Sequence, residues 1–162
     1  MTLHTISVLV ENKFGVLTRV AGLFSGRGYN IHSLNVAPSH RQGFSRMTIV
    51  VDEQEETLNQ IIKQLNKLIN VVDVIDFRQG ETVYREIVLL RVGVTRENRP
   101  EIIDLCNVFH ARIVDATRET LTIEISGGEF RLGRFLTLIQ DYDVQMIARS
   151  GRIAIPKPLQ QS

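Results

Sequence analysis

The segment Glu11-Asn12-Lys13-Phe14-Gly15-Val16-Leu17 has residue types and a spacing that could do chemistry. A β-rich run ends just before it, and a helical stripe of apolar residues begins at Val16. Gly15 lets the backbone pass close to a ligand or take a positive φ. A helix opens with unsatisfied N–H groups and a partial positive charge, which together attract a carboxylate. The Asn12 amide both donates and accepts, as an ammonium beside a carboxylate requires. A zwitterionic amino acid suits such a loop. A plain helix start, with Asn12 as N-cap and Gly15 as a turn residue, fits the same spacing.

Other candidates carry less. The histidines His4, His32, His40 and His110 have no partner at metal-ligand spacing. Cys106 shares a helical stripe with Ile102, Ile103 and Phe109 and reads as a small buried hydrophobe, not a nucleophile. Gly26-Arg27-Gly28 lacks the third glycine of a dinucleotide loop and follows a helix instead of a strand. No P-loop or nucleophile elbow is present. Gln42-Gly43-Phe44 faintly resembles an RNA-recognition signature, but the strands that would carry stacking rings offer none. The sequence therefore predicts no catalytic residues, no metal site and no nucleic-acid binding.

The elements that must position the loop follow from periodicity. Thr5 to Val10 alternates as a strand, and Val16, Val20, Leu23 and Phe24 form a helical stripe closed by Gly26 and Gly28. Ile31 to Ala37 and Ser45 to Val51 read as a hairpin. Leu58, Ile61, Ile62, Leu65, Leu68 and Ile69 make the clearest helix, and Val71 to Phe77 a fourth strand. After Gly80 the order repeats: a strand over Glu86 to Val94, a helix opened by Pro100, strands over Arg112 to Ala116 and Leu121 to Ile125, a helix over Leu132 to Ile139, and a strand over Val144 to Ala148. The predicted fold is α+β, two ferredoxin-like βαββαβ units in tandem, over residues 1–79 and 80–162. The tail from Pro156 is expected to be mobile.

Length and composition agree. The chain has 162 residues, 43% hydrophobic and 23% charged, with a formal net charge of +1; this is a globular composition with no basic footprint for nucleic acid. No apolar run approaches the roughly 20 residues of a membrane helix, and no leader pattern opens the sequence. A single cysteine fits a reducing compartment, so a cytoplasmic location is expected. Several strands are apolar on both faces, and units of this size cannot bury that surface alone. Self-association is therefore expected.

Asn12-x-x-Gly15-x-Leu17 after the first strand of a βαββαβ unit resembles an ACT domain, an amino-acid-binding regulatory module. Phe24-Ser25-x-Arg27-Gly28-Tyr29-Asn30-Ile31-x-Ser33-Leu34, Val36-Ala37-Pro38 and Ser45-Arg46-Met47-Thr48 resemble the regulatory (small) subunits of acetolactate synthase, as do Val108-Phe109-His110-Ala111-Arg112-Ile113-Val114-Asp115 and Ala148-Arg149-Ser150-Gly151. The resemblance spans roughly Thr5 to Ile155. It implies a homodimer without chemistry of its own. It implies a catalytic partner subunit, to which thiamine diphosphate, Mg2+ and FAD belong, and feedback by valine, with leucine or isoleucine as related effectors. It further implies that Asn12, Phe14, Gly15, Val16 and Leu17 of one chain hold the effector while Asn30 and Ile31 approach from its neighbour. The other reading is a stand-alone ACT-type sensor. The segment Ser39 to Phe44 departs from the family pattern, in which a more acidic or proline-containing loop is expected.

Overall fold

The computed structural model describes residues 2–159. The elements run β1 (Leu3–Glu11), α1 (Val16–Gly26), β2 (Ile31–Pro38), β3 (Phe44–Asp52), α2 (Glu55–Asn66) and β4 (Val71–Asp76). They continue with β5 (Thr82–Gly93), α3 (Arg99–Val108), β6 (Arg112–Ala116), β7 (Thr120–Gly127), α4 (Glu129–Ile139), β8 (Asp143–Arg149) and β9 (Ile153–Pro156). Two βαββαβ units result, with strand orders β2-β3-β1-β4 and β6-β7-β5-β8 and antiparallel neighbours throughout.

In the first unit, Ile6, Val8 and Val10 of β1 pair with Ile49, Met47 and Ser45 of β3 on one face. That face packs against Val16, Val20 and Phe24 of α1 and Leu58, Ile61 and Leu65 of α2. The alternation of β1 and the 3.6-residue spacing of the helices therefore point at one core. On the reverse face the central strands β1 and β3 are also withdrawn from water. Ser7 is fully buried there and accepts a hydrogen bond from Arg46 Nη1 at 2.7 Å, and Thr5 Oγ1 accepts one from Arg152 Nη1 at 3.1 Å. Buried hydroxyls on a central strand are tolerated because each has a partner.

The second unit builds its core from Val88, Leu90 and Val92 of β5 with Leu121, Ile123 and Ile125 of β7, under Ile102, Cys106, Leu132, Phe135 and Ile139. Its reverse sheet face stays open: Ile87, Leu89 and Met146 are exposed.

Two expectations change. The stripe in α2 was expected to run to Ile69, but the helix ends at Asn66. Lys67 and Leu68 donate to Gln64 and Leu65, three residues back, so the last turn tightens. Ile69, 92% exposed, lies in the turn that leads into β4. A short strand that the periodicity did not predict, β9, pairs with β5 and reaches only the first residue of the expected tail. The Lys157 N–H donates to the Glu81 carbonyl at 2.8 Å, and Lys157 Nζ pairs with Glu81 Oε2 at 2.6 Å. The segment from Arg152 thus groups with the chain up to Val83, and Tyr84–Gly151 forms the other unit. The expected division at residues 79 and 80 had given that end to the second unit. Residues 160–162 of the expected tail lie outside the described residues.

Phe135 is fully buried and stacks edge-on against Phe109, with ring centroids 5.6 Å apart. Phe135→Ala is expected to cost about 3–5 kcal/mol. Urea denaturation reads this, and a loss under about 1 kcal/mol would contradict a close-packed second core.

Candidate functional site

The junction between β1 and α1 is held from both sides. Asn12 N–H donates to the Gly43 carbonyl at 2.8 Å, fastening the loop to the β2–β3 turn. Glu11 N–H donates to the Asn70 carbonyl, Asn70 Nδ2 donates to Glu11 Oε2, and Arg19 Nη1 donates to Asn70 Oδ1 at 2.7 Å. Lys13 Nζ sits 2.7 Å from Glu11 Oε2. That ammonium, with the Asn70 amide, holds the Glu11 carboxyl below the usual range.

The start of α1 differs from the plain cap that the spacing allows. The N-cap of α1 is Gly15 (φ 82°), not Asn12, and no side chain caps the helix. The Val16 N–H reaches the Lys13 carbonyl at 3.3 Å and the Arg19 N–H reaches Gly15 at 3.0 Å. Among the described residues nothing accepts from the Leu17 or Thr18 N–H groups, and the Asn12 amide is exposed with no partner. The corresponding start in the second unit differs. Thr95 and Asn98 exchange hydrogen bonds there, and Pro100 brings no N–H. Open donors beside a free amide thus occur at α1 and not at α3.

The expected site residues fall into two groups. Asn12, Phe14, Gly15, Val16 and Leu17 lie together; Phe14 is fully exposed, Leu17 is exposed and Val16 is buried. Asn30 and Ile31 lie at the other end of α1. The Asn30 N–H donates to Glu53 Oε1, and Ile31 pairs with Val51 at the far end of β3. The strand from Phe44 to Val51 separates the two ends by roughly 23 Å, and α1 itself spans roughly 16 Å. One chain does not bring the groups together.

Between them runs a groove that sequence reasoning missed, lined by Thr18, Ala21, Gly22, Ser25, Tyr29 and Ile31 among others. Its signal was available: Thr18, Ala21, Gly22 and Ser25 are small residues at helical spacing on one face of α1. Among the described residues no group of three or more His, Cys, Asp or Glu could hold a metal, and no helix is long and apolar enough to cross a membrane.

Two tandem βαββαβ units, the first with an open helix start behind a left-handed glycine, define a protein of the ACT-regulatory class. A family model of the AHAS small subunit-like ACT domain matches residues 6–73, and one of the small subunit of acetolactate synthase matches residues 85–158. A probable acetolactate synthase small subunit of Archaeoglobus fulgidus is 48% identical over 94% of this chain and 95% of its own. The acetolactate synthase small subunit of Mycolicibacterium smegmatis is 44% identical over 95% and 91%. The crystal structure of the small subunit from Thermotoga maritima superposes with a TM-score of 0.87 at 36% identity, over 98% of this chain and 99% of that one. The chain belongs to the acetolactate synthase small-subunit family. It is thus a small, regulatory-type subunit and not a catalytic chain.

Paired glycine substitutions test the junction. Gly15→Ala forces a side chain into positive φ and is expected to lower stability by about 1–2 kcal/mol. Gly133→Ala, inside α4 with open space around its Cα, is expected to raise it by about 0.5–1 kcal/mol. Chemical denaturation checks both, and equal signs would contradict the left-handed junction.

Burial raises the Cys106 thiol to about 11. It is expected to resist a thiol reagent at pH 8 in the native protein and to react at once in denaturant. Rapid native labelling would contradict its burial.

Proposed function

We propose that this chain activates the thiamine-diphosphate-dependent catalytic subunit of acetolactate synthase and makes it sensitive to a branched-chain amino acid, valine first. The effector sits between the first units of two chains. Gly15, the open N–H groups beyond Val16 and the Asn12 amide take its carboxylate and ammonium. Asn30 and Ile31 of the second chain close over it, and Phe14, Leu17 and Ile31 offer apolar surface to its side chain. Family membership supports the partner and the role. The observation that carries the shared site is the placement of Asn12 and Asn30 at opposite ends of α1.

The edge strand β2 supports the dimer. Its sequence, Ile31–Pro38, contains no lysine, arginine or acid to blunt it, and Leu34 and Val36 are exposed. Two β2 edges paired antiparallel about a two-fold axis set the start of one α1 beside the end of the other. A ligand bridging the chains binds that dimer geometry and not separate monomers, so its binding free energy can shift the arrangement the catalytic subunit meets. Leucine and isoleucine meet the same polar groups, since one methylene separates such ligands by only ~1–3 kcal/mol.

Thermal unfolding with each of the twenty amino acids is the first test. A ligand at 100 times its Kd adds about 2.7 kcal/mol, roughly 5–10 °C for a chain of this size. Asn12→Ala and Asn30→Ala are each expected to abolish the shift and relieve feedback while leaving activation intact. Mixing the two variants is the sharper experiment. A mixed dimer holds one doubly altered site and one intact site, so binding returns to about half in that species. No recovery on mixing would sink the shared site. Failure of the wild-type chain to activate any acetolactate synthase catalytic subunit would favour the stand-alone sensor.

A further inference from the structure

The end of α1 and the outer face of α2 form a second groove, of about 500 Å3, lined by Arg27, Gln60, Lys63, Gln64, Asn66 and Lys67. Gln60, Lys63, Gln64 and Lys67 fall at i, i+3, i+4 and i+7 and share one helix face. Arg27 caps the end of α1 and turns toward that face. All three cations are exposed, and among the described residues none has a carboxylate within ion-pair distance. Lys63 and Lys67 complement the C-terminal end of the α2 dipole. Arg27 reaches them from another helix, so like charges gather where nothing inside the chain neutralises them.

The geometry points to this groove as the docking surface for a carboxylate-rich segment of the catalytic subunit. This inference rests on the regulatory role proposed above. Charge complementarity selects the occupant. A second copy of this chain placed on the groove by a two-fold axis would set the same three cations against themselves. A small zwitterion brings a single carboxylate and an ammonium of its own, which leaves the three cations largely unpaired. A carboxylate-bearing segment meets three cations and the free Gln60 and Gln64 amides. The groove also adjoins the effector segment. Arg27 and Tyr29 N–H groups both donate to the Phe24 carbonyl, so a short hydrogen-bonded turn ties Arg27 to Asn30. A shift of Asn30 on effector binding moves Arg27 with it, and docking and feedback share one turn.

The test uses the full-length chain and the catalytic subunit from the same source, with affinity measured by titration calorimetry. Wild-type affinity is expected to fall as salt rises from about 50 to about 300 mM. The double variant Lys63→Glu/Lys67→Glu is expected to lose at least about ten-fold in affinity and most of that salt dependence. Lys63→Arg/Lys67→Arg should retain both. The amino-acid-induced thermal shift should match wild type in both variants, separating docking from effector binding; the Tm should match in the Arg variant and fall by roughly a few degrees in the Glu variant, whose acids oppose the α2 dipole. Unchanged affinity in the Glu variant overturns the docking surface and leaves the regulatory reading standing. No wild-type binding at any salt overturns both. Stabilisation of wild type but not the Glu variant by inorganic pyrophosphate, with catalytic-subunit affinity unchanged, overturns the docking surface in favour of a small-anion site.

Discussion

The left-handed turn at Gly15 is the constraint on which the first unit depends. It ends a central strand and starts α1 within a few residues, and it does so without a side-chain cap. A capping serine or aspartate would have closed the helix start to solvent ligands. The glycine leaves the first N–H groups uncovered and forces the chain to fix the loop by other means. Those means are the Gly43 carbonyl on one side and the Glu11–Asn70–Arg19 chain of hydrogen bonds on the other. The loop is rigid in its anchors and open at its donors, which is the combination a binding site needs.

The same topology explains why the proposed effector site would be unfinished in one chain. In the order β2-β3-β1-β4, α1 crosses from the end of β1 to the start of β2 and so separates Asn12 from Asn30 by its whole length. No loop rearrangement short of unfolding α1 joins them. On the proposed reading a second chain completes the site, and the uncharged β2 edge is where it would enter. The second unit has the same strand order, but its equivalent helix α3 starts differently: the Thr95 and Asn98 N–H groups bond each other's side chains, and Pro100 brings no N–H. Shared architecture thus coexists with different chemistry at equivalent places.

Much of this was legible in the residues. The alternation Ile6, Val8, Val10 and the stripe Leu58, Ile61, Leu65 are strong periodic signals, and both facing sets end in one core. The open helix start was half legible: Asn12 and Gly15 mark a junction, but which of them caps α1 depends on backbone dihedrals that spacing does not encode. The end of α2 was misread because Leu68 and Ile69 continue the stripe; the demand for a turn before Val71 overrode propensity. The basic groove was not legible, because Arg27 and Lys63 meet only once the helices have packed. Nor was β9, a short strand whose pairing partner lies far back in the sequence.

That last strand has a consequence for synthesis. Arg152 bonds Thr5 across 147 residues, and Lys157 bonds Glu81. The first unit is therefore the earliest to leave the ribosome and the last to be finished, with Tyr84–Gly151 translated between its two pieces. Local pairings such as β2 with β3 form early because their loop is short, while closure by the segment from Arg152 waits until Tyr84–Gly151 has been translated. Thr5, on the reverse face of β1, gains its Arg152 partner last. A ribosome that pauses before Arg152 would hold a nascent chain whose second unit can fold and whose first unit still lacks the Arg152–Thr5 and Lys157–Glu81 bonds.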